Sequence, residues 1–65
     1  MLNKKTKIFI AGHKGMVGSS IKKKFTSLGF KNLLLADKKK LDLLDQKKVY
    51  YYLKKNKPQL VIIAA

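Results

Sequence analysis

Three short apolar runs alternate with two longer stretches of helical spacing along this chain. The first, within Lys7–Ala11, is Ile8-Phe9-Ile10-Ala11. It is short and partly β-branched or aromatic, which reads as a buried strand. From Gly15 or Met16 to Leu28 the spacing changes. Val17, Ile21, Phe25 and Leu28 recur at i, i+4, i+8 and i+11, one face of a helix, with Lys22, Lys23 and Lys24 towards solvent. Gly29 stands where a helix ends in a left-handed residue. Leu33-Leu34-Leu35-Ala36, ending at Asp37, is the second run. Leucine is a weak strand former, and only the run's shortness and the glycine before it favour a strand. Lys38–Leu44 reads as a loop. Asp45 is placed to cap a second helix over about Gln46 to Lys57, with Val49 and Leu53 as its apolar stripe and Tyr50 and Tyr52 flanking. Pro58 ends it, and Leu60–Ala65 is a third apolar strand.

The order β-α-β-α-β, with near-continuous apolar strands, predicts an α/β fold with a parallel sheet covered on both faces. It is the Rossmann-type half of a doubly wound sheet. The third strand belongs in the middle of such a sheet, so residues 1–65 are expected to be the N-terminal portion of a larger NAD(P)-binding domain, or a truncated copy of one.

Between the first strand and the first helix lies Gly12-His13-Lys14-Gly15-Met16-Val17-Gly18. The glycines are spaced G-x-x-G-x-x-G, and a strand that turns through them into a helix suits a dinucleotide. The first glycine allows a tight turn. The second lets backbone approach a pyrophosphate, and the third lets helix and strand pack closely. The helix N-terminus adds free N–H groups and the positive end of its dipole. Three of the four glycines of the chain fall in this heptapeptide, which weighs against incidental glycines in an ordinary turn.

Composition narrows the picture. The 65 residues carry 16 Lys+Arg against 3 Asp+Glu, a net charge of +13, and every one of the sixteen is lysine. Such a charge raises polyanionic partners. The absence of arginine weighs against specific base reading, which leans on the bidentate guanidinium. The aromatics do not interleave with lysines along the sequence as stacking platforms do. A solvated lysine surface on an enzyme domain is the favoured reading, with neither a specific nucleic-acid partner nor a membrane expected. The chain lacks cysteine and has a single histidine, which leaves no thiolate chemistry and no multi-histidine metal site. The Ile8–Ala11 run is too short for a signal sequence or membrane span, so a cytoplasmic protein is the expectation.

The stretch Lys7-Ile8-Phe9-Ile10-Ala11-Gly12-His13-Lys14-Gly15-Met16-Val17-Gly18-Ser19 closely resembles the opening of the GDP-L-fucose synthase family, among the extended short-chain dehydrogenases of the NAD-dependent epimerase/dehydratase group. The resemblance continues through Leu41-Asp42-Leu43-Leu44-Asp45 and Pro58–Ala65. It implies an NADP-dependent oxidoreductase that epimerises GDP-4-keto-6-deoxy-D-mannose and reduces its 4-keto group to GDP-L-fucose, in a full-length form that is a homodimer. The family's catalytic Ser and Tyr-x-x-x-Lys, and its GDP-sugar site, lie beyond residue 65, so only cofactor contacts fall within the chain. Tyr50–Lys54 and Tyr51–Lys55 have the Tyr-x-x-x-Lys spacing, but they stand on the helix between the second and third strands. The family pair belongs after the fourth strand, so these are chance pairs in a lysine-rich helix.

The choice of cofactor rests on opposed charges. Asp37 lies 19 positions after Gly18, where an acid accepts hydrogen bonds from ribose hydroxyls and favours NAD. Lys38, Lys39 and Lys40 follow and can neutralise a 2′-phosphate. The resemblance puts Lys14 at the family's basic position near that phosphate. The family's arginines at the strand end and two residues on are replaced by Ala36 and Lys38. NADP is the expected cofactor, with NAD as the alternative. By resemblance, Asp42 and Leu43 approach the adenine and its ribose, although Asp42 also suits a plain loop cap. His13 is expected beside the pyrophosphate, and Ala64 and Ala65 leave room for the cofactor. Three other readings stay open: another sugar-nucleotide epimerase, dehydratase or reductase; a small lysine-rich nucleic-acid-binding protein; and an inert truncated copy.

Overall fold

The computed structural model describes residues 2–37 and 39–64. Three strands and two helices follow one another: β1 Ile8–Ala11, α1 Met16–Ser27, β2 Leu33–Ala36, α2 Gln46–Asn56 and β3 Leu60–Ile63. The sheet is parallel with order β2-β1-β3. β1 is therefore central. Its four residues are all buried, with Ile8 and Ile10 at 0% exposure. The chain runs outwards from β1 to β2 and returns across it to β3. Ligands of open α/β sheets bind outside the carboxyl ends of the strands where that direction reverses, and here that place is next to Ala11.

Side chains alternate between sheet faces. Phe9, Ala11 and Ala36 form one core cluster, packed by Leu34 and by Val49, Tyr52 and Leu53 of α2. The rings of Phe9 and Tyr52 are 4.8 Å apart. The stripe of α2 is thus Val49, Tyr52 and Leu53, whereas Tyr50 points to solvent, with Lys54 Nζ 5.6 Å from its ring centre. Leu41 joins this cluster at 5% exposure. It lies in a loop among lysines, where spacing alone does not mark a core position. Ile8 and Ile10 face the other way, and α1 contacts β1.

The helix ends follow local chemistry. Asp45 caps α2, its side chain accepting from the Lys48 N–H at 3.2 Å. At the end of α1, the Gly29 N–H donates to Thr26 O and the Phe30 N–H to Phe25 O, with Gly29 at φ +92°. This paired-bond ending is completed by the edge-on contact of Phe25 and Phe30, 5.1 Å between centroids.

Several expectations shift. β1 begins at Ile8 rather than Lys7, and β3 ends at Ile63, although the Ala64 N–H still donates to Ala11 O at 2.9 Å. On α1, Val17 and Leu28 are exposed at the two ends, and only Ile21 and Phe25 are partly covered. The buried residue of α1 is Gly18. Cover on both faces also fails at β3: Val61 is half exposed and Ile63 is 70% exposed, because α2 packs over β1 and β2. No helix among the described residues is long and apolar enough to cross a membrane.

Candidate functional site

The turn from β1 into α1 uses its three glycines in three different ways. Gly12 has φ +84°, a left-handed conformation that bends the chain sharply as the strand ends. The Gly15 N–H closes the turn onto Gly12 O at 3.1 Å. Gly18 lies directly against this turn. A Cβ there would overlap the Gly12 carbonyl oxygen and come 2.7 Å from its carbon and 3.0 Å from His13 Cα. Gly15 differs from both. Its φ of −74° is ordinary, and a Cβ would meet only Gly12 O, at 3.5 Å. The fold therefore does not require a glycine at position 15, which leaves an open approach to backbone.

Gly15 is the N-cap of α1. No side chain caps this end, and no acidic residue stands in the first turn. The Ser19 N–H donates to Gly15 O, so the amides of Met16, Val17 and Gly18 come before the helical ladder begins. An uncapped helix start of this kind favours an anion. Met16 and Val17 are exposed, at 88% and 62%. They frame the turn with their backbone rather than packing into a core. His13 is partly buried, and its Nδ1 is shielded without a hydrogen-bond partner among the described residues.

Two clefts meet at Gly12. One, of about 280 Å³, is lined by Ala11, Ala36, Leu41, Asp42, Leu43 and Leu44. The Asp42 side chain accepts from the Leu44 N–H at 3.0 Å, so it shapes its own loop while lining the cleft. The other, of about 340 Å³, is lined by Lys14, Gly15, Asp37 and Lys39. Here Lys14 Nζ lies 2.8 Å from Asp37 Oδ2. The second Asp37 oxygen accepts from the Lys40 N–H at 2.9 Å. The bond from Lys14 and then the Lys40 amide hold the Asp37 carboxyl at about 2, below its ordinary 3.8. The sequence set Asp37 and Lys14 in opposition over the cofactor; in space they are partners. That pairing cancels much of the carboxylate's repulsion of a phosphate.

Of the expected positions, Gly12, Lys14, Gly15, Asp37, Asp42 and Leu43 line two adjoining clefts at the carboxyl ends of β1 and β2, whereas His13, Met16, Val17 and Gly18 belong to the turn and helix start without lining either. Ala64 is tied to β1 through the Ala11 carbonyl. Lys38 and Ala65 lie outside the described residues. Leu41 and Leu44, which the resemblance covers without giving them a cofactor contact, also line the first cleft; their apolar character in a lysine-rich loop is the signal for it. The unbonded amides, the close Gly12–Gly18 contact and the orphaned His13 nitrogen fit a pyrophosphate, and Lys14 beside Asp37 fits a ribose end. Nicotinamide dinucleotide is therefore compatible with the residues present.

The model of the RmlD substrate binding domain family matches residues 6–65. The chain is 46% identical over 65 residues to GDP-L-fucose synthase 1 of Arabidopsis thaliana, covering all of this chain and 20% of that protein. It is 48% identical over 59 residues to GDP-L-fucose synthase of Sinorhizobium fredii, covering 91% of this chain and 18% of that protein. It superimposes with a TM-score of 0.96 and 37% identity on a GDP-mannoheptose C4 reductase from Campylobacter jejuni with NADP bound, over all of this chain and 19% of that one. The chain thus spans about a fifth of the length of the curated relatives it matches. With a family model matched along nearly its whole length, and with the strand–glycine turn–helix geometry in place, the chain belongs to the RmlD substrate binding domain family.

Proposed function

We propose that these residues form the dinucleotide-binding opening of an NADP-dependent GDP-sugar epimerase/reductase. The observation that carries this reading is the Gly12–Gly18 turn, where an uncapped helix start and close glycine packing leave backbone amides free for a pyrophosphate. The amides of Met16, Val17 and Gly18 hold its oxygens, and Gly15 gives them access. Lys14 holds the ribose 2′-phosphate, and Asp37 orients Lys14. Leu43 and Leu41 line the apolar wall for the adenine. When bound, the dinucleotide supplies the hydride for reducing a keto group.

The GDP-L-fucose synthase relatives favour GDP-4-keto-6-deoxy-D-mannose as the substrate of a longer form. The likeness to a GDP-mannoheptose C4 reductase favours a keto-heptose as the second reading. Titrating the folded chain with NADPH and NADH, followed by nicotinamide fluorescence, tests the cofactor reading. Saturable binding with NADPH preferred is expected, and a folded chain that binds neither refutes the proposal. In a longer form, NADPH oxidation with each GDP-keto-sugar separates the two substrates.

A further inference from the structure

A third cleft, of about 740 Å³, runs between β2 and α2. Leu33, Leu34 and Leu35 all line it. Successive strand side chains point to opposite faces, so three consecutive lining residues place the groove along the edge of β2. Among the described residues that edge has no partner strand, since β2 is outermost and pairs only with β1. The opposite wall is one side of α2, where Lys48, Tyr51, Tyr52 and Lys55 are spaced i, i+3, i+4 and i+7. Lys40 joins them.

An open strand edge is a template for a further strand. Extended peptides add to such edges through main-chain hydrogen bonds, while neighbouring pockets read their side chains. The charge specifies the occupant, because three lysines line this groove and no carboxylate does. A single-stranded nucleic acid would also meet lysines and tyrosines here. It needs a row of free rings for its bases, whereas the Tyr52 ring is packed against Phe9 and Tyr51, though 67% exposed, stands edge-on to Tyr50. Nor would a nucleic acid use the backbone edge. We propose that the groove between β2 and α2 docks an extended acidic segment of a partner protein, which adds to β2 as a fourth strand. The groove shares Leu41 with the cleft given to the adenine, but it runs along the outer edge of β2, and its argument does not depend on the dinucleotide reading.

The test is fluorescence anisotropy of the purified 65-residue chain with a labelled peptide of about ten residues, alternating glutamate and valine to match one strand length. A second peptide of equal charge carries prolines in place of its central valines and cannot pair as a strand. An oligothymidylate of similar length is the third probe. Saturable binding of the first peptide is expected, roughly tenfold weaker for the proline peptide and for the chain with Lys48→Glu and Lys55→Glu. Amide resonances of β2 should shift while those of Gly12–Gly18 stay in place, a readout that needs no variant. The proposal is overturned if both peptides bind alike, if only the oligothymidylate binds, if the shifts avoid β2, or if no peptide binds.

Discussion

At the scale of single residues, the Lys14–Asp37 pair carries the most consequence. Lys14→Ala should weaken NADPH more than NADH, by roughly tenfold to a hundredfold for a charge-assisted contact worth ~1.5–3 kcal/mol. Fluorescence titration of both cofactors decides it; equal weakening of the two would make Lys14 a pyrophosphate or steering residue. The same pair makes stability depend on pH. The fold lowers the Asp37 carboxyl to about 2 from 3.8. Its contribution is therefore whole above about pH 4 and is lost as the pH falls through 2. Asp37→Asn should lower the urea midpoint at neutral pH, with the difference from wild type shrinking to nothing on the acid side. The sequence showed both residues and their relevance to the ribose end. It did not show that they meet, because a strand end and a glycine turn 23 positions apart are joined only by the sheet.

Between the elements, the glycine turn separates folding from binding. Gly18→Ala forces a methyl group onto the Gly12 carbonyl. It should destabilise the chain by about 1–3 kcal/mol, the usual range for overpacking a close contact. At Gly15 the fold has room for a Cβ, so Gly15→Val should abolish dinucleotide binding while lowering the thermal midpoint less than Gly18→Ala, because it blocks the approach to backbone rather than colliding with it. Parallel changes in both measurements for both variants would dissolve this distinction. At the far end of α2, Lys57 sits at φ 49° and ψ 57°, a left-handed conformation that costs a side-chain-bearing residue about 1–2 kcal/mol. Lys57→Gly should raise the melting temperature by a few degrees for a gain of up to ~1 kcal/mol. All five elements were legible from spacing, and Gly29 and Asp45 marked helix ends through their own chemistry. Lys57 was not legible as a turn, since lysine carries no preference for that conformation. The exposure of Val17 and Leu28 was hidden for a related reason: helical spacing reports a shared face but not how far along the helix that face is covered, and only Ile21 and Phe25 are partly covered.

For the whole molecule, the 65-residue chain should show no turnover of NADPH with any GDP-keto-sugar. The Ser and Tyr-x-x-x-Lys set of the resembling family has no counterpart at the matching place, and Tyr50 and Lys54 lie against each other on the outer side of α2. Spectrophotometric assay of NADPH oxidation by the purified chain checks this, and measurable turnover would sink it. The strand order was the least legible feature at this scale. Apolar runs announce strands, but whether the third lies beside the second or beside the first is decided by the path of α2 over Phe9 and Leu34. That order has a consequence for the chain during synthesis. β1 leaves the ribosome before either of its partners, Leu33–Ala36 on one side and Leu60–Ile63 on the other. The most deeply buried strand must therefore wait, paired on one side at most, until Leu60–Ile63 has emerged. A nascent chain paused between the two helices presents Ile8, Phe9 and Ile10 with only half their final neighbours, and this is the stage at which a chaperone has the most to hold.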